Sequence, residues 1–352
     1  MPAPPAPDVL AAFGIEPTAP AHRLDAGHIH QTWRVDASPA VVVQRVNDSV
    51  FRAPHELMGN LERLESTLVA KGIPTITWLR ATNGSLLQRD EQGSVWRAHR
   101  WIDGDVRAAA PSFGEVEGIS RAFGRFAAAL ADEATDRYVE VLPSFHDFAV
   151  REREWRFAVL RDEANRFLRA QPDIERASRV LERVHELEEF DAWYQLPRRL
   201  VHNDAKAANV VRGADGGFTI IDLDTTMPGP VLADVGELVR TMCRSASEDD
   251  DHAAGSLQTE RYGLVLRGWL AGYTHDLHPL EEHALPIAGV VLTVENALRF
   301  LADHLDGDIY FPVERPDQNR ARFRAQIGHA QVLLDGINDL RRVAMNELAR
   351  RR

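Results

Sequence analysis

Within residues 200–230, "LVHNDAKAANVVRGADGGFTIIDLDTTMPGP", carboxylates, a lysine and an amide fall in a fixed order: Asp204, Lys206, Asn209, Asp222 and Asp224. Phosphoryl transfer asks little covalent chemistry of a protein. It needs a divalent metal on the nucleotide phosphates, a carboxylate to take the acceptor hydroxyl's proton, and a cation to offset charge on the group in transit. Asp204 is suited to orient and deprotonate a hydroxyl, and Lys206 to reach a γ-phosphate. Asn209 and Asp222 offer hard oxygen ligands for Mg²⁺. The runs "NVVR" and "FTIIDLD", joined by "GADGG", predict a short hairpin that brings Asn209 and Asp222 to one metal centre. Asp224, two residues on, shares a strand face with Asp222 and is a further candidate ligand. Turn preferences account for an isolated Asp or Asn, but poorly for this ordered set.

Composition draws the eye to the same place. Of 41 basic residues only Lys71 and Lys206 are lysine, so 39 are arginine and one of the two lysines lies inside the stretch. The net charge of −12 argues against a nucleic-acid partner, which selects a basic face. The single cysteine, Cys243, excludes an intrachain disulfide and fits a reducing compartment. No apolar run suggests a membrane crossing, and "MPAPPAPDVL" lacks the features of a signal peptide, so a cytoplasmic protein is expected.

The elements that must position these residues change character along the chain. Residues 1–21 are rich in Pro and Ala and read as a loosely ordered start with one short helix around Val9–Phe13. "HQTWRVDA" and "AVVVQRVN" predict a hairpin, and Leu57, Leu61, Leu64 and Leu68 predict a helix ended by Gly72 and Pro74. "ITWLRATNGSLLQRDEQGSVWRAHRWI" returns to strands, with turns at its Asn-Gly and Gln-Gly steps. Beyond "DGDV" the chain predicts long amphipathic helices over 112–135, 146–170, 172–190, 256–275, 282–305 and 316–350. The charge run "SASEDDDHAAG" (245–255) reads as a solvated loop. The fold class expected is therefore α+β and bilobal, with a β-rich N-lobe (22–102) and a helical C-lobe (103–352).

"HNDxKxxN" followed by "IIDLD" resembles the aminoglycoside-phosphotransferase and choline-kinase-like families, whose fold is that of the protein kinases; it parallels H-R-D-x-K-x-x-N and D-F-G. The resemblance implies ATP and Mg²⁺ as cofactors, Asp204 as catalytic base, and Asp234 of "ADVGELVR" as a structural brace of the catalytic loop. It also implies a nucleotide site in the N-lobe. There Gly27 is the lone glycine of the phosphate loop, and Arg45, with Gln44 as alternative, takes the place of the usual strand lysine. Glu62, or Glu65, is the helix partner of that basic residue. Main-chain groups of His99, Trp101 and Ile102 in the lobe connection are placed against adenine. The paired histidines of "GHIH" lack further partners at ligand spacing and are not read as a metal site.

"VVVQRVNDSVFRAPHELMGNLERL", "VWRAHRWIDG", "FHDF", "IDLDTTMPG" and "RFLADHLDGDIYFPVERPDQNRARFRAQI" are most similar to bacterial N-acetylhexosamine 1-kinases, over residues 22–330. By that resemblance the acceptor is a small sugar phosphorylated at its anomeric hydroxyl. Asp306, Asp308, Tyr310, Arg315, Asn319 and Arg322 are its candidate contacts, since carboxylates and amides accept from vicinal hydroxyls and a ring stacks on a pyranose face. Trp96 and Arg97 stay open between a packed strand and an acceptor contact. Where that family is expected to show Asn-Asp, this chain has His30-Gln31, which leaves a kinase for another hydroxylated metabolite or an aminoglycoside as the alternative. A silent binding module of the same fold is the remaining one. A monomer or homodimer that binds a small-molecule sugar, and neither nucleic acid nor a membrane, is expected.

Overall fold

The computed structural model describes residues 3–24, 29–106, 111–244 and 256–352; Gly27 and the 245–255 charge run lie outside the described residues. Two compact units emerge, one of Met1–Ala108, Ala134–Pro143 and Ala208–Met227, the other of Ala109–Glu133, Ser144–Ala207 and Pro228–Arg352.

The first unit opens with α1 (Pro7–Ala12), followed by β1 (Ala21–Leu24), β2 (Gln31–Val35), β3 (Val41–Arg45), α2 (Pro54–Ala70), β4 (Gln88–Arg89) and β5 (Val95–Arg100). The strands form an antiparallel sheet in the order β1-β2-β3-β5-β4. Alternation sorts its faces. Trp33, Val35, Val41, Val43, Trp96 and Ala98 share one core with Val9 and Leu10 of α1. Thr32, Gln44 and Arg97 stand opposite one another across β2, β3 and β5, so they line the other face. Leu57, Leu61, Leu64 and Leu68 of α2 are all buried, as their spacing predicts. Next, β6 (Asp105–Val106) pairs with β8 (Val210–Arg212), which pairs with β9 (Phe218–Ile220). The expected "GADGG" hairpin is thus present, and by contact it groups with the strands of the first hundred residues.

The second unit contains α3 (Phe113–Leu130), α4 (Phe148–Arg161), α5 (Phe167–His185), α6 (Phe190–Trp193), β7 (Arg198–Val201), β10 (Met227–Pro230), α7 (Leu232–Met242), α8 (Thr259–Gly272), α9 (Pro279–Ala284), α10 (Ala288–Asp306), α11 (Gln318–Asp335) and α12 (Ile337–Arg351). Strands β7 and β10 pair. Three expected helix boundaries shift. The break placed near 171 falls at Asp162, which is left-handed with φ 44° and accepts the backbone N–H of Arg166 and Phe167. Pro172 lies inside α5, beyond its first turn, and so removes the backbone hydrogen bond that would reach the Leu168 carbonyl. The 316–350 helix divides at Gly336, and the 282–305 helix divides between α9 and α10. The stretch Pro279–Asp306 has the length and hydropathy of a membrane span, which the sequence reading passed over, yet 94% of its apolar window is buried within the protein. It is a core helix.

Helices α3 and α8 approach closely because glycines line their crossing. A Cβ on Gly124 would sit 2.2 Å from the carbonyl oxygen of Trp269, and one on Gly272 would sit 2.2 Å from that of Arg121. Backbone cannot yield as a flexible side chain does. Gly124→Ala is therefore expected to destabilise the protein by about 1–3 kcal/mol, read as a lower midpoint in urea at unchanged slope.

Candidate active site

The segment from His202 to Asp204 leaves β7 and is held at successive backbone groups. Asp234, on the first turn of α7 and fully buried, accepts the N–H of His202 (3.0 Å) and of Asn203 (2.8 Å). The ring of His202 accepts the Asp204 N–H at 3.2 Å and stands edge-on to Phe123 and Phe126. His146 Nε2 donates to the carbonyl of Asn203 at 2.7 Å, while its Nδ1 donates to Glu295 Oε1 at 2.7 Å. With both ring nitrogens donating, His146 is an imidazolium. Burial pulls its pKa down, but the charge and hydrogen bond of Glu295, the charge of Glu237 and the Asn203 carbonyl together raise it above the ordinary histidine value. These anchors impose a left-handed conformation on Asn203 (φ 63°) and present Asp204 next to it. Lys206 Nζ lies 2.8 Å from Asp204 Oδ2, both side chains partly exposed.

In the first unit, Asn209 ends a short 3-10 turn before β8, and its carbonyl accepts the Ile221 N–H at 2.9 Å beyond β9. Asn209 and Asp222 therefore flank the same end of the hairpin, as expected. Asp222 is exposed and left-handed (φ 59°), opening the single turn Leu223–Thr225. One amide oxygen and one carboxylate form a hard donor pair. That set suits a Mg²⁺ whose other positions are taken by phosphate and water.

Asp224 differs from its expectation as a metal ligand. Arg97 Nη1 and Nη2 each donate to one of its oxygens at 2.7 Å, and His30 Nε2 lies 2.5 Å from Oδ2. Burial alone would raise its pKa, but Arg97 and His30 hold it well below the usual carboxylate range. Its oxygens are already engaged. The basic residue expected on β3 is displaced in the same way. Arg45 is exposed at the strand end, on the face that carries the α1 core, and Gln44 is the residue that faces Arg97. Glu62 is bonded to Arg80, and Glu65 accepts the Trp78 N–H, so neither partners Arg45. His99 is buried, its pKa lowered to about 4 by desolvation, with Nδ1 on the Arg100 carbonyl. The Trp101 N–H is committed to Ala40, and its ring lies under Arg34; Ile102 is half-buried.

The expected acceptor residues divide. Asp306 pairs with Arg161, and Asp308 with Arg166 and Asn319. Asn319 is fully buried and also donates to Asp303, which corrects its reading as a direct contact: it organises the loop. Asp303 accepts the N–H groups of Ile309, Tyr310 and Phe311 and so winds the 307–311 segment about itself. Arg322 reaches the Pro312 carbonyl, and Arg315 is exposed. Tyr310 is 52% exposed. The sequence reading missed Glu295, Arg299 and Asp303, which recur every four residues along the mainly apolar α10; that spacing was the available signal. Arg299 lies 5.1 Å over Phe145, 5.7 Å over Tyr310 and 5.3 Å over Phe311, and has no carboxylate partner among the described residues.

The fold has close counterparts. A microcompartment-associated aminopropanol kinase superposes with a TM-score of 0.65 at 15% identity, covering 95% of this chain and 97% of that one. An aminoglycoside phosphotransferase from Alicyclobacillus acidocaldarius gives 0.60 at 14% identity over 98% of both chains. Spectinomycin phosphotransferase APH(9)-Ia, solved with ADP and spectinomycin, gives 0.59 at 12% identity over 92% of this chain and 96% of that one. Residues 21–273 match the phosphotransferase enzyme family, and the chain belongs to it.

Proposed function

We propose that this phosphotransferase moves the γ-phosphoryl group of ATP to the anomeric hydroxyl of an N-acetylhexosamine. Use of ATP with a divalent metal such as Mg²⁺ and a small-molecule acceptor follows from the family; the identity of the acceptor is the proposed part. The observation that carries the reading is the buried anchoring of residues 202–204, which fixes one partly exposed carboxylate beside the only lysine of the motif. The hexosamine is supported by the similarity of the "QRVN" and "RFLADHLDGDIYF" segments to that kinase class.

In this reading the Asp204 carboxylate accepts the hydroxyl's hydrogen bond, aligns the oxygen and takes its proton as the bond to phosphorus forms. Lys206 balances the carboxylate at rest and offers its ammonium to the phosphoryl oxygens. Asn209 and Asp222 would hold Mg²⁺, which neutralises phosphate charge when bound. Tyr310 and the aromatic-backed Arg299 form the acceptor wall, the ring against a sugar face and the guanidinium toward its oxygens.

Coupled ADP release measured over N-acetylhexosamines, amino alcohols and aminoglycosides tests the acceptor. Turnover confined to aminoglycosides or amino alcohols refutes the hexosamine and leaves the transfer chemistry intact. Arg299→Ala is expected to raise the acceptor KM about ten- to a hundredfold at unchanged ATP KM, the loss of a charge-assisted hydrogen bond.

A further inference from the structure

Arg97 is buried to 2% exposure in a sheet where a lone guanidinium would be strongly destabilising, and each of its three nitrogens has a hydrogen-bond acceptor. Its Nε donates to Gln44 Oε1 at 2.9 Å, and Gln44 in turn donates to Thr32 Oγ1 at 3.2 Å, along one row of the β2–β3–β5 register. Its two terminal nitrogens grip Asp224 bidentately, a geometry that fixes orientation as well as distance. Its flat face lies 4.9 Å from the Trp78 ring, with Met58 of α2 against Nη1. His30 completes the set: its Nδ1 accepts the Asn47 N–H at 3.0 Å, so Nε2 carries the proton and donates to Asp224.

Asp224 lies in the single turn that Asp222 opens, and the left-handed backbone of Asp222 (φ 59°) carries a strain that the surrounding contacts must hold. We propose that Arg97, with Gln44 and His30, is the positioning device for the metal ligand: by gripping Asp224 it locks the 223–225 turn and aims the Asp222 carboxylate at the Mg²⁺–nucleotide. The arrangement puts the sheet's buried cation on the metal turn, from β5 rather than β3. It rests on Asp222 being the metal ligand.

The sign of one effect separates this from Asp224 acting as a second ligand. Removing Arg97 would then free a ligand and tighten Mg²⁺ binding, whereas removing a positioning residue weakens it. ADP binding to the full chain is measured by calorimetry with Mg²⁺ and again in EDTA. In Arg97→Met and Asp224→Asn, the gain in ADP affinity conferred by Mg²⁺ is expected to fall about ten- to a hundredfold, with metal-free affinity unchanged and partial rescue in Arg97→Lys. His30→Gln and Gln44→Leu leave the ion pair in place and give smaller losses of the same sign, which decide the matter where Arg97→Met does not fold. A tightened or unaltered Mg²⁺ effect in these variants overturns the proposal. So does an equal loss of metal-free affinity, the mark of a merely structural role. An unaltered Mg²⁺ effect in Asp222→Asn overturns the metal assignment beneath it, whereas loss there with retention in Arg97→Met overturns the positioning alone.

Discussion

Asp204→Asn is expected to lower kcat by about 10²–10⁴-fold while leaving the affinity for Mg²⁺–ADP as it is. The amide keeps the shape and can still accept one hydrogen bond from the acceptor, but it cannot take the proton. The backbone anchors from Asp234, His202 and His146 do not involve the Asp204 side chain, so the segment keeps its conformation. Lys206 exchanges its 2.8 Å contact with a carboxylate for one with a neutral amide and keeps its charge for the phosphate oxygens, which is why nucleotide binding is expected to survive. Steady-state kinetics with ADP titrated by calorimetry checks both halves. Loss of nucleotide affinity would show that Asp204, not Asp222, belongs to the metal, and an unchanged kcat would remove it from proton transfer altogether.

The local geometry of the 202–224 stretch was legible because its pattern is local in sequence. Five residues from Asp204 to Asp224 carry types that phosphoryl transfer requires, and the hairpin that gathers Asn209 and Asp222 is written in two apolar runs and a glycine turn. The helix periods of α2 and α3 were legible for the same reason, since each reads out over a few turns. What failed was pairing across distance. Strand alternation shows that Gln44 and Arg45 face opposite sides, but not which side meets the functional turn. That depends on a partner 127 residues away from Arg97, in Asp224, and no local pattern states it. Reading Asp224 as a metal candidate failed likewise: a carboxylate beside another candidate ligand reads as a ligand until its own counter-ions, here Arg97 and His30, are known. The His146–Glu295 pair spans 149 residues and was equally hidden.

That pair gives the other large effect. Glu295 is fully buried, the His146 side chain is 3% exposed, and Glu295 Oε2 has no hydrogen-bond partner among the described residues. Glu295→Ala leaves a buried imidazolium without its charge partner and is expected to destabilise the protein by about 3–5 kcal/mol. Glu295→Gln is milder, and its pH dependence identifies the cause. The folded-state pKa of His146 is raised, so the stability it contributes is fully present below the unfolded value of about 6.5 and is lost as pH rises through the folded value. The charged groups acting on it are Glu295 from α10, with Glu237 and Asp234 from α7. In Glu295→Gln the imidazole is expected to stay neutral when buried, so the variant lags the wild type most at mildly acidic pH and approaches it as pH rises. Urea denaturation across that range reads the difference. Activity should follow. A neutral His146 whose one proton goes to the amide oxygen introduced at position 295 no longer donates to the Asn203 carbonyl, and Asp204 loses one of the groups that hold its backbone. A stability gap that is flat or widens with rising pH would overturn the assignment of a charged His146 in the folded protein.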